Sequence, residues 1–366
     1  MTALLEMRGV TQVFGDPDKG GTVAVEDLTF SIDADHASFT SVVGESGSGK
    51  TTLARILLGF QEPTHGQVFY RGEDLASAGR SVHNRFRREV QAIFQDPFEV
   101  YNPFYKIDHL LSVPIRKFNL AENKRHARQL MEEALSQVGL RPEETLGRYP
   151  HQLSGGQRQR ITVARALLLQ PKLIIADEPV SMVDASLRAT ILETLRELNL
   201  KFGISFLYIT HDLTTAYQVS DNIMVMYQGR VVETGGVEAV IKRSRHPYTQ
   251  LLVSSIPLPD PDRRWGEDMV DASEEEISLA AHRRQCSFAP RCPHVMPMCR
   301  EHAPPLYWPL NHQASACFLE SDFGNGAAPD VLDRDITHAF APVAPELRSS
   351  RELVGSESQK QGGITM

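Results

Sequence analysis

The chain has 366 residues, enough for one large core and a smaller second unit, and its hydrophobic share of 41% and charged share of 23% are ordinary for a soluble globular protein. A formal net charge of -8 argues against a nucleic-acid binder, which needs an excess of Lys and Arg to neutralise phosphates. No apolar run approaches the roughly 18 to 20 residues of a membrane span, and "MTALLEMRGV" lacks a basic segment and a cleavage site, so a cytosolic, thiol-reducing setting is expected.

In chain order, "LLEMRGVTQVF", "TVAVEDLTFSI" and "ASFTSVVG" read as strands, being β-branched or alternating with Gly, Asp and Pro between them. A helix is expected at about 49–58, followed by short strands at "GQVFY" and "EVQAIFQ". The basic runs "RFRR" (85–88) and "KRSR" (242–245) read as solvated helix faces. From about 104 to 170 the pattern is helical, with Ala127, Leu130, Met131, Ala134, Leu135 and Val138 forming one apolar stripe. Strands return at "KLIIAD" (172–177), "ISFLYIT" (204–210) and "NIMVMYQ" (222–228), with a helix between the first two. The sum is an α/β protein with a mixed β-sheet core and a helical insertion. Beyond about 256 the chain is acidic and proline-punctuated, as in a linker, and from about 320 a poorly ordered tail is expected.

"GESGSGKT", Gly44 to Thr51, fits G-x-x-x-x-G-K-[ST] and stands between a strand and a helix, the context that motif requires. Glycines let backbone N–H groups turn towards phosphate oxygens, and the helix N-terminus adds a favourable dipole. Lys50 is expected to reach the β- and γ-phosphates, and the Thr51 hydroxyl to ligate Mg²⁺. "KLIIADEP" has the form of a buried parallel strand ending in acids. Asp177 would hold Mg²⁺ through water, and Glu178 would polarise an attacking water.

Between these lies "LSGGQRQR" (153–160), and with it the sequence resembles the nucleotide-binding subunit of an ATP-binding cassette (ABC) transporter over residues 4–320. The resemblance implies a P-loop NTPase fold of the ABC type. It rests on the phosphate loop (Gly44, Glu45, Ser46, Gly47, Ser48, Gly49, Lys50, Thr51, then Thr52), Gln95 in "IFQDP", "LSGGQ" (153–157), "LIIADE" (173–178), "SMVD" (181–184) and His211 in "YITHD". It implies that Phe14 stacks on adenine, that Gln95 contacts Mg²⁺ and the water, and that His211 reaches both the γ-phosphate and Glu178. Ser154, Gly155, Gly156 and Gln157 open a helix expected at 157–169 and form a second anion site. Two such sites on one chain, together with Asp184, imply that ATP is sandwiched between head-to-tail copies, the partner being this chain or a paralogue. Met182 and Val183 replace the family's usual Ala-Leu, and Tyr101 stands where close relatives usually carry Leu.

Without membrane helices of its own, the chain resembles the separate ATPase subunits of importers, in particular the peptide and nickel import subfamily. The stretches that carry this are "YPHQLSGGQRQR", "HPYTQLLVSSIPLPDP" (246–261) and "CSFAPRCPHVMPMC". The resemblance implies two membrane permease subunits, an extracytoplasmic solute-binding protein acting indirectly, no nucleic acid, and a peripheral position at the cytoplasmic face of the inner membrane. The implied domains are an ATPase domain at 1–256 (helical subdomain about 96–170), a cysteine-containing extension at 257–320 and a tail at 321–366. Non-transport ABC ATPases are less similar. Only 104 positions part Lys50 from Ser154, where DNA-repair relatives insert coiled coils, and ribosomal relatives carry two cassettes.

All four cysteines, Cys286, Cys292, Cys299 and Cys317, fall in that extension. Their spacing fits neither the C-x₂-C zinc knuckle nor the ferredoxin run. The subfamily resemblance implies a 4Fe–4S cluster. Zinc with His294, His302 or His312, and unligated thiols, remain alternatives. A cluster is expected to fold the extension, apart from the ATP site.

Overall fold

The computed structural model describes residues 3–16, 21–95, 101–256, 284–310, 312–323 and 335–340. The acidic linker, residues 96–100 and most of the tail lie outside the described residues.

Two sheets carry the described chain. The first, in the order β2-β1-β4-β5, is antiparallel and built from Ala3–Phe14 (β1), Thr22–Asp33 (β2), His65–Tyr70 (β4) and Glu73–Asp74 (β5). The second has eight strands in the order β11-β12-β10-β9-β3-β8-β7-β6. Phe39–Val43 (β3), Val90–Ile93 (β6), Leu173–Asp177 (β7), Ser205–Thr210 (β8) and Asn222–Tyr227 (β9) run parallel in it. Every residue of β3, β8 and β9 is buried, as expected of strands covered on both faces. Arg230–Gly236 (β10), Tyr307–Leu310 (β11) and Gln313–Ser315 (β12) extend this sheet antiparallel.

The helical insertion comprises Ile107–Lys117, Lys124–Gln137, Pro142–Thr145 and Gly155–Leu167. Asn123 opens the second of these, its side chain accepting from the His126 N–H. Its apolar stripe buries Met131, Ala134 and Leu135 in a core shared with Leu111, Ile161 and the underside of the sheet at Ile174 and Phe206. The Phe39 and Phe206 rings stack within that core, 5.0 Å apart.

The chain departs from its sequence pattern in three places. Arg230–Gly236 is a core strand that alternation alone does not pick out, and β11 and β12 bring the extension into the main sheet rather than leaving it outside. Of the two basic runs, the first behaves as expected, with Arg85 exposed beside Glu73 and Phe86 turned inward. In the second, Arg245 instead pairs with buried Glu320 at 3.7 Å. Within the stretch expected to be loose, residues Ile336–Ala339 form a 3₁₀ turn on β2. There Ile336 and Ala339 are buried and the Ser31 N–H donates to Thr337 Oγ1 at 2.8 Å.

Candidate nucleotide site

β3 delivers the phosphate loop to the centre of the parallel strands, between β8 and β9, and the helix Lys50–Leu57 leads away from it. The turn demands glycine at Gly49: its φ is +102°, and a Cβ there would lie 1.8 Å from the Ala24 carbonyl oxygen. Buried Lys50 fills the loop. Its Nζ donates to the carbonyls of Gly44 and Glu45, both at 2.7 Å, and to Ser48 Oγ at 3.3 Å. Burial lowers the Lys50 pKa, and the charges of Glu178, Asp177 and Glu45 oppose that shift.

Asp177 closes β7 at the same edge. Burial raises its carboxyl pKa, while a hydrogen bond from Thr51 and the nearby Lys50 and Arg55 charges pull it down. The Thr51–Asp177 contact sets a hydroxyl and a carboxylate side by side, a donor pair of the all-oxygen kind that Mg²⁺ prefers.

Glu178 takes a left-handed backbone conformation, φ +46°, rare for a residue with a side chain. Its N–H donates to the Ile209 carbonyl on β8 at 2.9 Å, and its carbonyl accepts from Ser181. These bonds turn the chain off the strand and aim the carboxylate at His211, which follows β8. Nδ1 of that imidazole lies 3.0 Å from Glu178 Oε1. His211 is exposed and Glu178 half-buried. Phe14 ends β1 and is 45% exposed, and Gln95 is exposed just past β6.

Ser154, Gly155, Gly156 and Gln157 form a separate station. Ser154 caps the helix Gly155–Leu167, its Oγ accepting from the Gln157 N–H at 3.2 Å while its own N–H donates to Gln157 Oε1 at 2.9 Å. The helix therefore starts at Gly155, two residues before the expected start. Gly156 is pressed against Leu187, where an added Cβ would meet Cδ1 at 2.9 Å. Leu187 lies on the helix Ala185–Phe202, which Asp184 opens, so the signature turn packs directly against the helix that Asp184 begins. Ser154 and Gln157 bond to each other and not to Lys50. Tyr101 donates its hydroxyl to the Arg158 carbonyl at 2.7 Å, tying the segment after Gln95 to the signature helix.

The sequence reading missed two residues of this site. The Arg291 guanidinium forks onto the Glu45 carboxylate at 2.9 and 3.0 Å, and the Tyr248 hydroxyl accepts from the Glu45 N–H at 2.9 Å. Arg291 stands beside Cys292, so the cysteine extension touches the phosphate loop and the expected separation does not hold. No local pattern marks a contact spanning 246 positions.

Cys286, Cys292, Cys299 and Cys317 all line one pocket, with Phe288, Met296 and Phe318. Burial pushes the thiols of Cys286 and Cys292 up and that of Cys317 to about 12. Among the described residues no group of three or more His, Cys, Asp or Glu is gathered closely enough to hold a metal ion. His294 lines the pocket with His246. His302 is not among its lining residues, and His312 faces the Phe340 carbonyl instead. The zinc alternative thus loses two of its three histidines, and the 4Fe–4S expectation is left with the convergence of the thiols alone.

Among the described residues no helix is long and apolar enough to cross a membrane. A loop that cradles phosphates, with acids and a histidine at the carboxyl ends of neighbouring strands, is the working edge of a P-loop ATPase. Comparison with known proteins narrows the class. The ABC transporter family matches residues 25–181, and the oligopeptide/dipeptide transporter C-terminal region matches 232–299. The chain is 39% identical to the probable peptide ABC transporter ATP-binding protein y4tS of Sinorhizobium fredii, covering 81% of this chain and 83% of that one. It is 36% identical to the oligopeptide transport ATP-binding protein AppF of Bacillus subtilis, covering 87% and 98% respectively. Among solved structures it resembles the dimeric ATP-binding cassette MJ0796 bound to ADP and Pi, with TM-score 0.55, 26% identity and coverage of 64% of this chain and 98% of that one. A second is cbiO1 of Clostridium perfringens, with TM-score 0.57, 25% identity and coverage of 66% and 92%. The chain belongs to the ATP-binding proteins of ABC transporters and is an ABC-type ATPase carrying the oligopeptide/dipeptide C-terminal region.

Proposed function

We propose that this ATPase powers import of peptides through two membrane permease subunits fed by an extracytoplasmic solute-binding protein, with two ATPase subunits closing head to tail on ATP. The observation that carries the reading is the Glu178–His211 pair beside the Lys50 loop, on a chain whose relatives are described as peptide transport proteins. In this reading the N–H groups of residues 44–52 and Lys50 hold the phosphates, and Phe14 stacks on adenine. Glu178 polarises the water and His211 orients Glu178. Thr51, Asp177 and Gln95 would hold Mg²⁺, which when bound shields the charge of the phosphate oxygens. Ser154, Gly155, Gly156, Gln157 and Asp184 serve the nucleotide of the partner.

Permease docking has a surface to use. Phe60 and Phe94 stack at 6.2 Å while both are exposed, and Phe104 is 86% exposed near the end of the Gln95 segment. In this reading the chain sits peripherally at the cytoplasmic face of the membrane. Nickel or an oligosaccharide as cargo is the competing reading, since the ATPase itself does not touch the solute.

For the extension we propose a 4Fe–4S cluster on Cys286, Cys292, Cys299 and Cys317. Its support is that all four thiols line one pocket, though they stand too far apart to hold a metal and would have to draw together on loading, and its role is to hold the extension folded.

The assembled transporter in liposomes tests the transport reading. ATP-dependent uptake of a labelled oligopeptide, with ATP hydrolysis stimulated by the peptide-loaded binding protein, is expected. Uptake of nickel or an oligosaccharide in place of peptide would replace the cargo. Hydrolysis indifferent to every loaded binding protein would remove transport.

A further inference from the structure

The second residue of the phosphate loop is gripped from three sides. The Glu45 N–H donates to the Tyr248 hydroxyl, its carbonyl accepts from Lys50, and its carboxylate receives both arms of Arg291. Two of these partners lie outside the nucleotide-binding motifs. Tyr248 is on the helix Pro247–Ser254, and Arg291 ends the 3₁₀ turn Ala289–Arg291 between Cys286 and Cys292. Neither is loosely held. Tyr248 and Phe288 are fully buried beside Val43, the last residue of the strand that feeds the loop. The Arg291 guanidinium lies over the Phe288 and Tyr227 rings at 5.7 and 5.8 Å, so its long side chain is braced before it reaches Glu45.

We infer that Arg291 and Tyr248 are positioning residues for ATP: through Glu45 they hold the phosphate loop in its binding shape, and through Arg291 the cysteine extension sets nucleotide affinity. The chemistry favours a preorganising role. A forked guanidinium–carboxylate pair fixes direction as well as distance, and the Tyr248 hydroxyl fixes the backbone at the same residue. A loop already ordered loses less conformational freedom when a triphosphate binds. With its fork committed to the Glu45 carboxylate, Arg291 acts on the loop and not on the reacting atoms. Its loss therefore shows in the binding of ATP rather than in the chemical step.

The inference rests on residues 44–51 being the ATP site, and the full-length chain tests both together. ATP affinity is titrated with MgATP, and KM and kcat are measured for wild type, Arg291→Ala, Arg291→Lys, Glu45→Gln and the Arg291→Ala/Glu45→Gln double variant. Arg291→Ala is expected to raise KM and Kd about five-fold with kcat within about two-fold, the scale of a partly exposed charge-assisted pair. Arg291→Lys, which keeps the charge without the fork, should recover part of that loss. The double variant should be no worse than the poorer single one, because both remove the same contact. Wild-type KM in Arg291→Ala, or losses that multiply in the double variant, would overturn the positioning role. A wild-type chain that binds no MgATP would instead overturn the site itself. Tyr248→Phe, which keeps the packing and removes the hydroxyl, covers the case in which Arg291→Ala fails to fold. The same KM-selective loss is expected there, and its absence counts against the inference.

Discussion

His211 Nδ1 and Glu178 Oε1 stand 3.0 Å apart although 33 positions separate them, because β7 and β8 are parallel neighbours that end side by side. The strained turn at Glu178 keeps the carboxylate at that edge. Glu178→Gln preserves size and one acceptor oxygen and removes the ability to take a proton. We expect ATP binding within about two-fold of wild type and steady-state phosphate release lowered by roughly 10²- to 10⁴-fold. Release near wild type would remove Glu178 from catalysis.

The separation of Ser154 from Lys50 within one chain gives a complementation test. Ser154→Arg blocks the signature turn, and Lys50→Ala empties the phosphate loop. Mixed in equal amounts, the two inactive variants should form dimers with one intact site and hydrolyse ATP several-fold faster than either alone. A mixture no better than its parents would mean that the sites do not assemble across copies of this chain. The same mixing with a paralogous subunit would then decide between the two partners.

His246 predicts how acid weakens the fold. It is buried as the N-cap of Pro247–Ser254, its Nδ1 accepts the Tyr248 N–H at 3.0 Å, and desolvation holds its pKa down to about 3. An unfolded histidine takes up its proton below about 6.5 while the folded one does not. The stabilisation is therefore complete above about 6.5 and is lost progressively as pH falls towards 3, on the order of 2–3 kcal/mol by pH 4.5. Glu233, whose carboxylate accepts from the His246 N–H, has its pKa raised by burial and acts in the opposite direction near its own titration. The contrast to measure is the slope of denaturation free energy between pH 6.5 and 5. His246→Asn, which can still cap the helix, should flatten it, and an unchanged slope would clear His246.

Protein purified without oxygen should be brown, with iron and acid-labile sulfide near one cluster per chain. Cys292→Ser should lose the colour and open residues 284–320 to protease. Since Arg291 immediately precedes Cys292, the change should also weaken ATP binding. A colourless preparation with stoichiometric zinc would replace the cluster, and one with no metal would leave four packing thiols.

Much of the nucleotide site was legible because its information is local. The loop, its feeding strand and its helix lie within 39–57, and "LIIAD" announces a strand buried on both faces. The pairing of Glu178 with His211 came from the family resemblance and needed the strand order to become geometry. Arg291–Glu45 and the docking of Ile336–Ala339 on β2 were not legible, because each joins segments hundreds of residues apart through side chains with no periodic signal. β11 and β12 escaped for a related reason. Short strands such as "YWPL" and "QAS" carry little alternation, and only pairing with β10 makes them strands.

That pairing has a practical result for anyone shortening the chain. β12 covers the outer edge of β10 through Glu233, Thr234 and Gly235, and Gln313 donates to the buried Glu233 carboxylate at 2.8 Å. A protein cut at residue 256 would bare a row of unpaired backbone amides and strand a carboxylate without that partner. Such a raw margin invites other chains to stack against it. The minimal cassette should therefore clump on expression, while the same cassette supplied with residues 284–323 stays dispersed.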